Sequence, residues 1–115
     1  MGMDRRRPPE AHLPLRPVEF QVLLSLASGD RHGYGILQDA GERGERIDVG
    51  TLYRALARMA ERGWIAPAGG DADDERRNNY ALTDYGLGIA RAEAARLAGL
   101  MRAARRGGLL PETAT

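Results

Sequence analysis

The sequence predicts a mainly α-helical domain that carries one small β-hairpin. Three segments in the first two thirds have apolar residues at helical spacing, a fourth segment has the alternation of paired strands, and the last third repeats an a/d heptad pattern. A length of 115 residues suits one domain of this kind. The predicted order of elements is helix, helix, helix, hairpin and long helix.

The first two helices follow a segment that has no apolar period. Residues 1–14 are rich in Arg and Pro and are predicted to form a flexible N-terminal arm. Helix one is predicted over 17–28, because Pro17 suits a first helical turn. Its apolar face consists of Phe20, Leu23, Leu24 and Ala27. Helix two is predicted from His32 or Gly33 to Ala40, with His32 capping or packing at its start.

Helix three has the clearest boundaries. Asp48 is a good N-cap, because its side chain can accept hydrogen bonds from the first free N–H groups, and Gly63 is a good stop signal. One face carries the apolar series Val49, Leu52, Leu56 and Met59. The opposite face carries Gly50, Thr51, Arg54, Ala55 and Arg58. These two faces predict one side in the core and one side free to contact a partner.

The hairpin and the fourth helix complete the domain. Trp64–Ala66 and the stretch 75–82 are predicted as its two strands, with Trp64 as a core anchor beneath them. Helix four is predicted to begin after the N-cap Thr83 and to end at Arg106, and residues 107–115 are predicted to form a flexible tail. Its heptad seam consists of Leu87, Ala90, Ala94, Leu97, Met101 and Ala104. An apolar seam of this length predicts a dimer interface.

Composition excludes several classes of function. The chain has no Cys and only two His, so we expect no disulfide, no metal site and no cofactor. It lacks a nucleophile–base pair and a glycine-rich phosphate loop, which argues against an enzyme. No apolar run approaches the ~20 residues that span a bilayer, and a cytoplasmic protein without a membrane partner is expected.

The arrangement of charge favours double-stranded DNA as the partner. The net charge is only +1, so the distribution of the arginines has to carry the prediction. A helix-turn-helix protein lays the N-terminal part of its second helix in the major groove, and Thr51, Arg54 and Arg58 share one face of helix three. The alternative is an ordinary solvated helix face. Against it, the first turn carries small residues where a solubility face would carry carboxylates.

Four sequence motifs then resemble the PadR-like family of transcriptional regulators. They are Arg31-His32-Gly33-Tyr34-Gly35-Ile36, Gly50-Thr51-Leu52-Tyr53-Arg54-Ala55-Leu56, Arg62-Gly63-Trp64-Ile65 and Tyr80-Ala81-Leu82-Thr83. The resemblance implies a winged helix-turn-helix domain over 15–82 and a dimerisation helix over 83–106. It further implies a homodimer, usually repression, and release from DNA by a small-molecule effector. It also suggests that Tyr34, Thr51 and Tyr53 lie near the DNA backbone.

The returning strand of the hairpin, which is the wing of such a domain, leaves two interpretations open. Arg76 and Arg77 can contact phosphates or the minor groove, or they can form a solvated edge behind the acidic stretch Asp71–Glu75. An acidic wing and a small net charge also suit a winged-helix protein-interaction module without sequence-specific DNA binding. Arg54 and Arg58, beside Gly50 and Thr51, argue against that alternative.

Overall fold

The computed structural model describes residues 6–69 and 78–111. The helices are α1 (Pro17–Ala27), α2 (Gly33–Glu42), α3 (Val49–Glu61) and α4 (Asp84–Arg106), and the strands are β1 (Arg31–His32), β2 (Ile65–Pro67) and β3 (Asn79–Leu82). The predicted fold class, a helical domain with a small antiparallel hairpin and a long last helix, is confirmed. None of the described helices is long and apolar enough to cross a membrane.

Local signals set the ends of α3 and α4. The Asp48 side chain accepts a hydrogen bond from the backbone N–H of Thr51, and the Thr83 side chain accepts one from Gly86. Gly63 follows α3 at φ +79°, where a side chain would be strained. The bonds from Gly63 N–H to the Ala60 carbonyl and from Trp64 N–H to the Met59 carbonyl complete a Schellman motif. The predicted caps and stop of these helices are confirmed.

The sheet has one strand more than the sequence predicted. Its order is β1-β3-β2, and both pairs are antiparallel. In β1, Arg31 lies opposite Tyr80 and His32 lies opposite Asn79. Two residues are too few to show a period of two, so β1 has no sequence signature of its own. The pair ties the hairpin to the residues immediately before α2.

The core lies where α1, α2 and α3 meet the sheet and α4. Its fully buried large side chains are Val22, Leu23, Ile36, Leu52, Leu56, Met59, Trp64, Ile65 and Ile89. Trp64 is the anchor beneath the hairpin that the sequence predicted. The face predicted for helix one is rotated, because Val22 and Leu26 join Leu23 in the core while Ala27 is exposed.

The N-terminal segment differs from the predicted arm. Pro9–His12 forms a short 3₁₀-helix, with proline in its first turn, that packs against α4. The hydroxyl of Tyr85 on α4 donates to the Arg7 carbonyl at 2.6 Å. Leu15 is buried. The prediction of a flexible arm is therefore wrong for this stretch. The 3₁₀-helix has only four residues and no apolar period, so the sequence pattern could not reveal it.

A buried carboxylate completes this contact. Glu93 on α4 is only 2% exposed and accepts two hydrogen bonds from Arg96, at 2.7 and 2.9 Å. The backbone N–H of Leu15 donates to the same carboxylate at 3.3 Å. The Arg96 hydrogen bonds, with a smaller contribution from Leu15, hold the pKa of Glu93 below its ordinary value, although burial opposes them.

Candidate nucleic-acid interface

The first turn of α3 presents a small polar cluster to solvent. The Asp48 carboxylate accepts from the Thr51 backbone N–H at 3.1 Å and from the Thr51 hydroxyl at 3.4 Å. Arg54 donates from Nη2 to the same hydroxyl at 3.4 Å. These contacts hold the Thr51 hydroxyl between a carboxylate and a guanidinium. Because the Thr51 hydroxyl donates its proton to Asp48, the donor that the cluster orients toward phosphate or base edges is the exposed guanidinium of Arg54.

Gly50 leaves room for the guanidinium of Arg54. A Cβ at Gly50 would lie 3.1 Å from Nη1 of Arg54 and 3.2 Å from the Asp48 carboxylate. These distances are tighter than ordinary Cβ contacts, so a side chain at Gly50 would push the guanidinium aside. Gly50, which the sequence places on the face opposite the apolar series, therefore positions Arg54.

Asp48 changes the electrostatics expected for this helix end. A free helix N-terminus favours an anion, but here the Asp48 carboxylate already accepts one of the unpaired N–H groups. An approaching phosphate would therefore meet the exposed Arg54 rather than an unoccupied helix end. The attraction of this end of α3 for a phosphate therefore depends on the Arg54 side chain.

The side chain of Arg58 turns partly away from the face of α3 that the sequence predicts to contact DNA. Its Nη2 lies 4.0 Å from Oε2 of Glu19 on α1, a carboxylate that is itself buried. Its Nε is buried and has no hydrogen-bond partner among the described residues. Arg62 approaches the same Glu19 oxygen at 4.0 Å. Sequence reasoning missed Glu19, whose signal was only a carboxylate in the first turn of α1.

Two further residues of α3 have the opposite burial to the one that the helical pattern predicts. Ala55 is fully buried, so its assignment to the groove-facing surface is wrong. Packing partners on both α1 and α2 bury a wider arc of α3 than one apolar stripe indicates. Val49 has the spacing of the apolar series but is 57% exposed in the first turn. The exposed beginning of α3 therefore includes an aliphatic side chain as well as Thr51 and Arg54.

The two tyrosines of the motifs occupy different environments. Tyr34, in the first turn of α2, is 58% exposed. Tyr53 is half-buried and packs against the core. Its hydroxyl lies where a side chain at Gly33 would be, 2.6 Å from the position of a Cβ. Tyr53 therefore fixes the crossing of α2 and α3, and Tyr34 is free to meet a partner.

The remaining predicted DNA contacts belong to the returning strand that the sequence predicts for the hairpin. Arg76 and Arg77 fall outside the described residues, as does the acidic stretch 71–75. The described part of the hairpin continues past the strands, with bonds from Ala68 N–H to the Asn79 carbonyl at 2.9 Å and from Asn79 N–H to the Gly69 carbonyl at 2.7 Å. The base of the wing is therefore firmly paired.

The predicted seam of α4 lies outside the core of the single chain. Ala94 and Met101 are exposed, and Leu87, Ala90, Leu97 and Ala104 are half-buried. Between α1 and α4 lies an apolar groove of about 180 Å³. It is lined by Phe20, Leu23, Leu24, Ala27, Leu87, Ala90, Arg91 and Ala94. The half-buried residues of helix one thus border the same surface as the seam.

No group of three or more His, Cys, Asp or Glu side chains that could hold a metal ion occurs within residues 6–69 and 78–111. The exposed beginning of α3 presents, beside the Asp48 carboxylate, the guanidinium of Arg54 and the hydroxyl of Thr51. Such groups suit the recognition of phosphates and base edges.

Comparison with known proteins agrees with this geometry. The model of the PadR-like family of transcriptional regulators matches residues 22–92. A PadR family regulator from Clostridium difficile R20291 has a similar structure, with 24% identity, a TM-score of 0.69, and coverage of 77% of this chain and 95% of that chain. A PadR family regulator from Eggerthella lenta DSM 2243 is similar at 25% identity, a TM-score of 0.65, and coverage of 91% and 87%.

The same fold extends to a further regulator. BpsR from Bordetella bronchiseptica, whose DNA binding is regulated by 6-hydroxynicotinic acid, is similar at 22% identity and a TM-score of 0.67, with coverage of 84% of this chain and 69% of that chain. No curated protein sequence matches the chain. The family match covers more than half of the chain and includes α2, α3, the hairpin and the first part of α4. The protein belongs to the PadR-like family of transcriptional regulators.

Proposed function

We propose that the protein is a repressor that binds a pseudo-palindromic operator as a homodimer and is released by a small-molecule effector. The single observation that carries this proposal is the exposed first turn of α3, where Asp48 and Gly50 position Thr51 and Arg54 toward solvent. Family membership supports DNA binding and transcription regulation. Repression, dimerisation and effector release are the finer parts of the proposal.

We assign the residues at DNA by their exposure. Arg54 would contact a guanine edge, and Thr51 a phosphate or a thymine methyl group. Tyr34 would contact the backbone of the duplex. Val49, which the sequence prediction did not include, would add an apolar contact of the kind that favours thymine. The further proposed contacts are Gly50, Tyr53, Arg58, Arg76 and Arg77.

Two residues of this assignment have restricted roles. Arg58 approaches Glu19, so it would serve the phosphate backbone in preference to a base. Tyr53 would act chiefly by fixing α3 against α2. Most of the direct base contact therefore falls on Arg54, and a second copy of the chain would double it.

The homodimer is proposed to form through the seam of α4. Met101 is 42% exposed and Leu100 is 54% exposed, which is costly for a helix that remains unpaired in water. The groove between α1 and α4 adjoins the seam and supplies a further apolar surface for the partner helix. In such a dimer we expect two α3 helices about 34 Å apart, one turn of the duplex.

The test is a gel-shift titration of the full chain against fragments of its own promoter region at several salt concentrations. We expect saturable binding that weakens steeply with salt. Arg54→Ala should reduce discrimination at one base position by ~1–3 kcal/mol, because a bidentate guanine contact is lost. Arg106→Gln, which removes an exposed charge from the far end of α4, is the matched control.

The outcomes separate the parts of the proposal. A folded protein that binds no promoter fragment in a salt-sensitive manner would refute DNA recognition and favour the protein-interaction module. A uniform loss of affinity across all sequences in Arg54→Ala would make Arg54 a phosphate contact.

A further inference from the structure

A buried carboxylate of α1 lies against the C-terminal half of α3. Glu19 is 4% exposed, and its Oε1 accepts a hydrogen bond from the backbone N–H of Arg16 at 2.9 Å. This bond ties the carboxylate to the first turn of α1, so the negative charge has a fixed position. The other oxygen, Oε2, faces two arginines of the α3 region.

Two guanidinium groups share this one oxygen. Nη2 of Arg58 and Nη1 of Arg62, the C-cap of α3, each lie 4.0 Å from Oε2 of Glu19. Both distances are longer than a hydrogen bond, so the attraction between opposite charges holds the two side chains there. A buried carboxylate that lost all of its cations would be costly. With two cations present, one arginine can leave while the other keeps the carboxylate paired.

The two arginines differ in their distance from the turn of α3 that we propose to enter the major groove. Arg58 follows Arg54 by four residues, which is one turn or ~6 Å along the same face. Arg62 follows Arg54 by eight residues, or ~12 Å, and its guanidinium lies 5.8 Å from the centroid of the Trp64 ring. Arg58 is therefore the arginine placed to reach a phosphate beside the groove, and Arg62 is the one that stays with Glu19.

Arg58 has to leave Glu19 before it can bind DNA. Its side chain is 30% exposed, its Nε is buried, and its Nη2 is the atom that approaches the carboxylate. The guanidinium thus lies against α1 and must swing outward to meet a phosphate. Contact with DNA and contact with Glu19 are alternatives for the same side chain.

We infer that Glu19 is a positioning residue that competes with the DNA backbone for Arg58, and that Arg62 keeps the carboxylate paired when Arg58 moves to a phosphate. Glu19 thereby lowers the part of the DNA affinity that does not depend on base sequence. This inference rests on the proposed function for the placement of α3 at DNA. The opposite role, in which Glu19 holds Arg58 ready for a phosphate, predicts changes in affinity of the opposite sign.

The test measures the binding of the full-length protein to two duplexes by fluorescence anisotropy at one fixed salt concentration. One duplex is a fragment of the chain's own promoter region, and the other has the same length and base composition in scrambled order. Glu19→Gln removes the charge but keeps an oxygen that can accept from the Arg16 N–H. Glu61→Gln removes an exposed carboxylate from the last turn of α3 and is the matched control.

Glu19→Gln should bind both duplexes more tightly by the same factor. We expect a gain of about 2- to 5-fold per protomer, which is the range that one partly exposed ion pair contributes. Discrimination between the duplexes should not change, because a phosphate contact carries no base information. Glu61→Gln should change either affinity by less than about twofold, because salt screens an exposed charge.

Two further variants locate the effect in the arginines. In Arg58→Gln, the additional change Glu19→Gln should have no effect on affinity, because the side chain for which Glu19 competes is gone. Arg62→Gln should weaken binding to both duplexes, because Arg58 is then needed to pair the carboxylate, and the additional change Glu19→Gln should remove that loss. Arg62→Gln tests the competition without altering α1. Circular dichroism establishes that each variant is folded.

The outcomes separate this inference from the proposed function. Unchanged or weaker binding by a folded Glu19→Gln protein that still prefers its promoter fragment would refute the competition and leave the proposed function intact. An equal gain in the Arg58→Gln background, or with Glu61→Gln, would reduce the effect to overall charge and refute the competition as well. If the unaltered chain binds both duplexes equally and the variants respond as expected, the competition stands and sequence-specific binding is refuted. If neither duplex is bound, both are refuted.

Discussion

Replacement of Gly86 by alanine tests how the long helix is seated on the rest of the domain. Gly86 is buried in the first turn of α4, directly against the backbone of Trp64. Cβ atoms in proteins essentially never lie closer than 3.0 Å to another heavy atom. A Cβ at this position would be much closer than that to the Trp64 carbonyl oxygen, and it would lie 2.8 Å from the carbonyl carbon. Because these neighbours are backbone atoms, the clash cannot be relieved by rotation of a side chain.

The cost follows from what must move. The Trp64 carbonyl accepts a hydrogen bond from the Thr83 N–H at 3.2 Å, and the single proton of the Thr83 hydroxyl is shared between the Gly63 carbonyl at 2.6 Å and the Trp64 carbonyl at 3.0 Å. A shift of α4 large enough to admit the methyl group breaks both contacts with the Trp64 carbonyl, at about 1 kcal/mol each. Overpacking adds ~1–3 kcal/mol, and the better helix propensity of alanine returns about 1 kcal/mol. We therefore expect Gly86→Ala to lower the free energy of unfolding by about 2–4 kcal/mol.

The same substitution at Gly99 in the same helix is the matched control. A Cβ at Gly99 would meet only the side chain of Arg102, at 3.6 Å, which is an ordinary contact. Gly99→Ala should therefore stabilise the protein by up to about 1 kcal/mol through helix propensity alone. Urea unfolding followed by circular dichroism, at one fixed protomer concentration, measures both variants. Equal stability of the two variants would refute the close seating of α4 on Trp64.

Two further predictions concern α4. Since the pKa of Glu93 is lowered in the folded state, its carboxylate should stabilise the fold above pH 4.5 and lose that effect as the pH falls through the lowered value. Glu93→Gln should lower the free energy of unfolding by ~1.5–3 kcal/mol at neutral pH. The loss of stability at acid pH, measured by urea midpoints, should then be smaller than in the unaltered chain. An unchanged loss of stability at acid pH would contradict the role of the Glu93–Arg96 pair. Leu97→Asp combined with Met101→Asp should yield monomers in sedimentation equilibrium, because charges would enter an apolar interface. The control is Ala95→Asp, at an exposed position outside the seam, which should remain dimeric. If the double variant is still a dimer, another surface forms the interface.

Short-range signals made the helix ends predictable. Asp48, Gly63 and Thr83 act on backbone groups within four residues of themselves, so their effect is written in adjacent sequence. The burial of Leu52 follows in the same way from helical spacing. The start of α3 and the presence of Thr51 and Arg54 on its exposed turn therefore followed from the sequence.

Contacts between distant segments were not predictable. Ala55 is buried because α1 and α2 both pack on α3, and Arg58 turns because Glu19, far away in sequence, lies within 4.0 Å. The N-terminal segment is held by Tyr85 and Glu93, which follow it by more than 70 residues. Periodicity within one element carries no information about such partners.

The pairing of β1 with β3 makes the hairpin and the helix-turn-helix a single mechanical body. His32 lies opposite Asn79 in the sheet, and its Nδ1 accepts from the backbone N–H of Gly35 at 2.9 Å to cap α2. A strain placed on the wing by a bent duplex would pass directly into the first turn of α2, with no flexible linker between them. The affinity for an operator would then depend on the stiffness of the duplex as well as on its bases. A duplex that resists bending at the wing would also place α3 less well in the major groove.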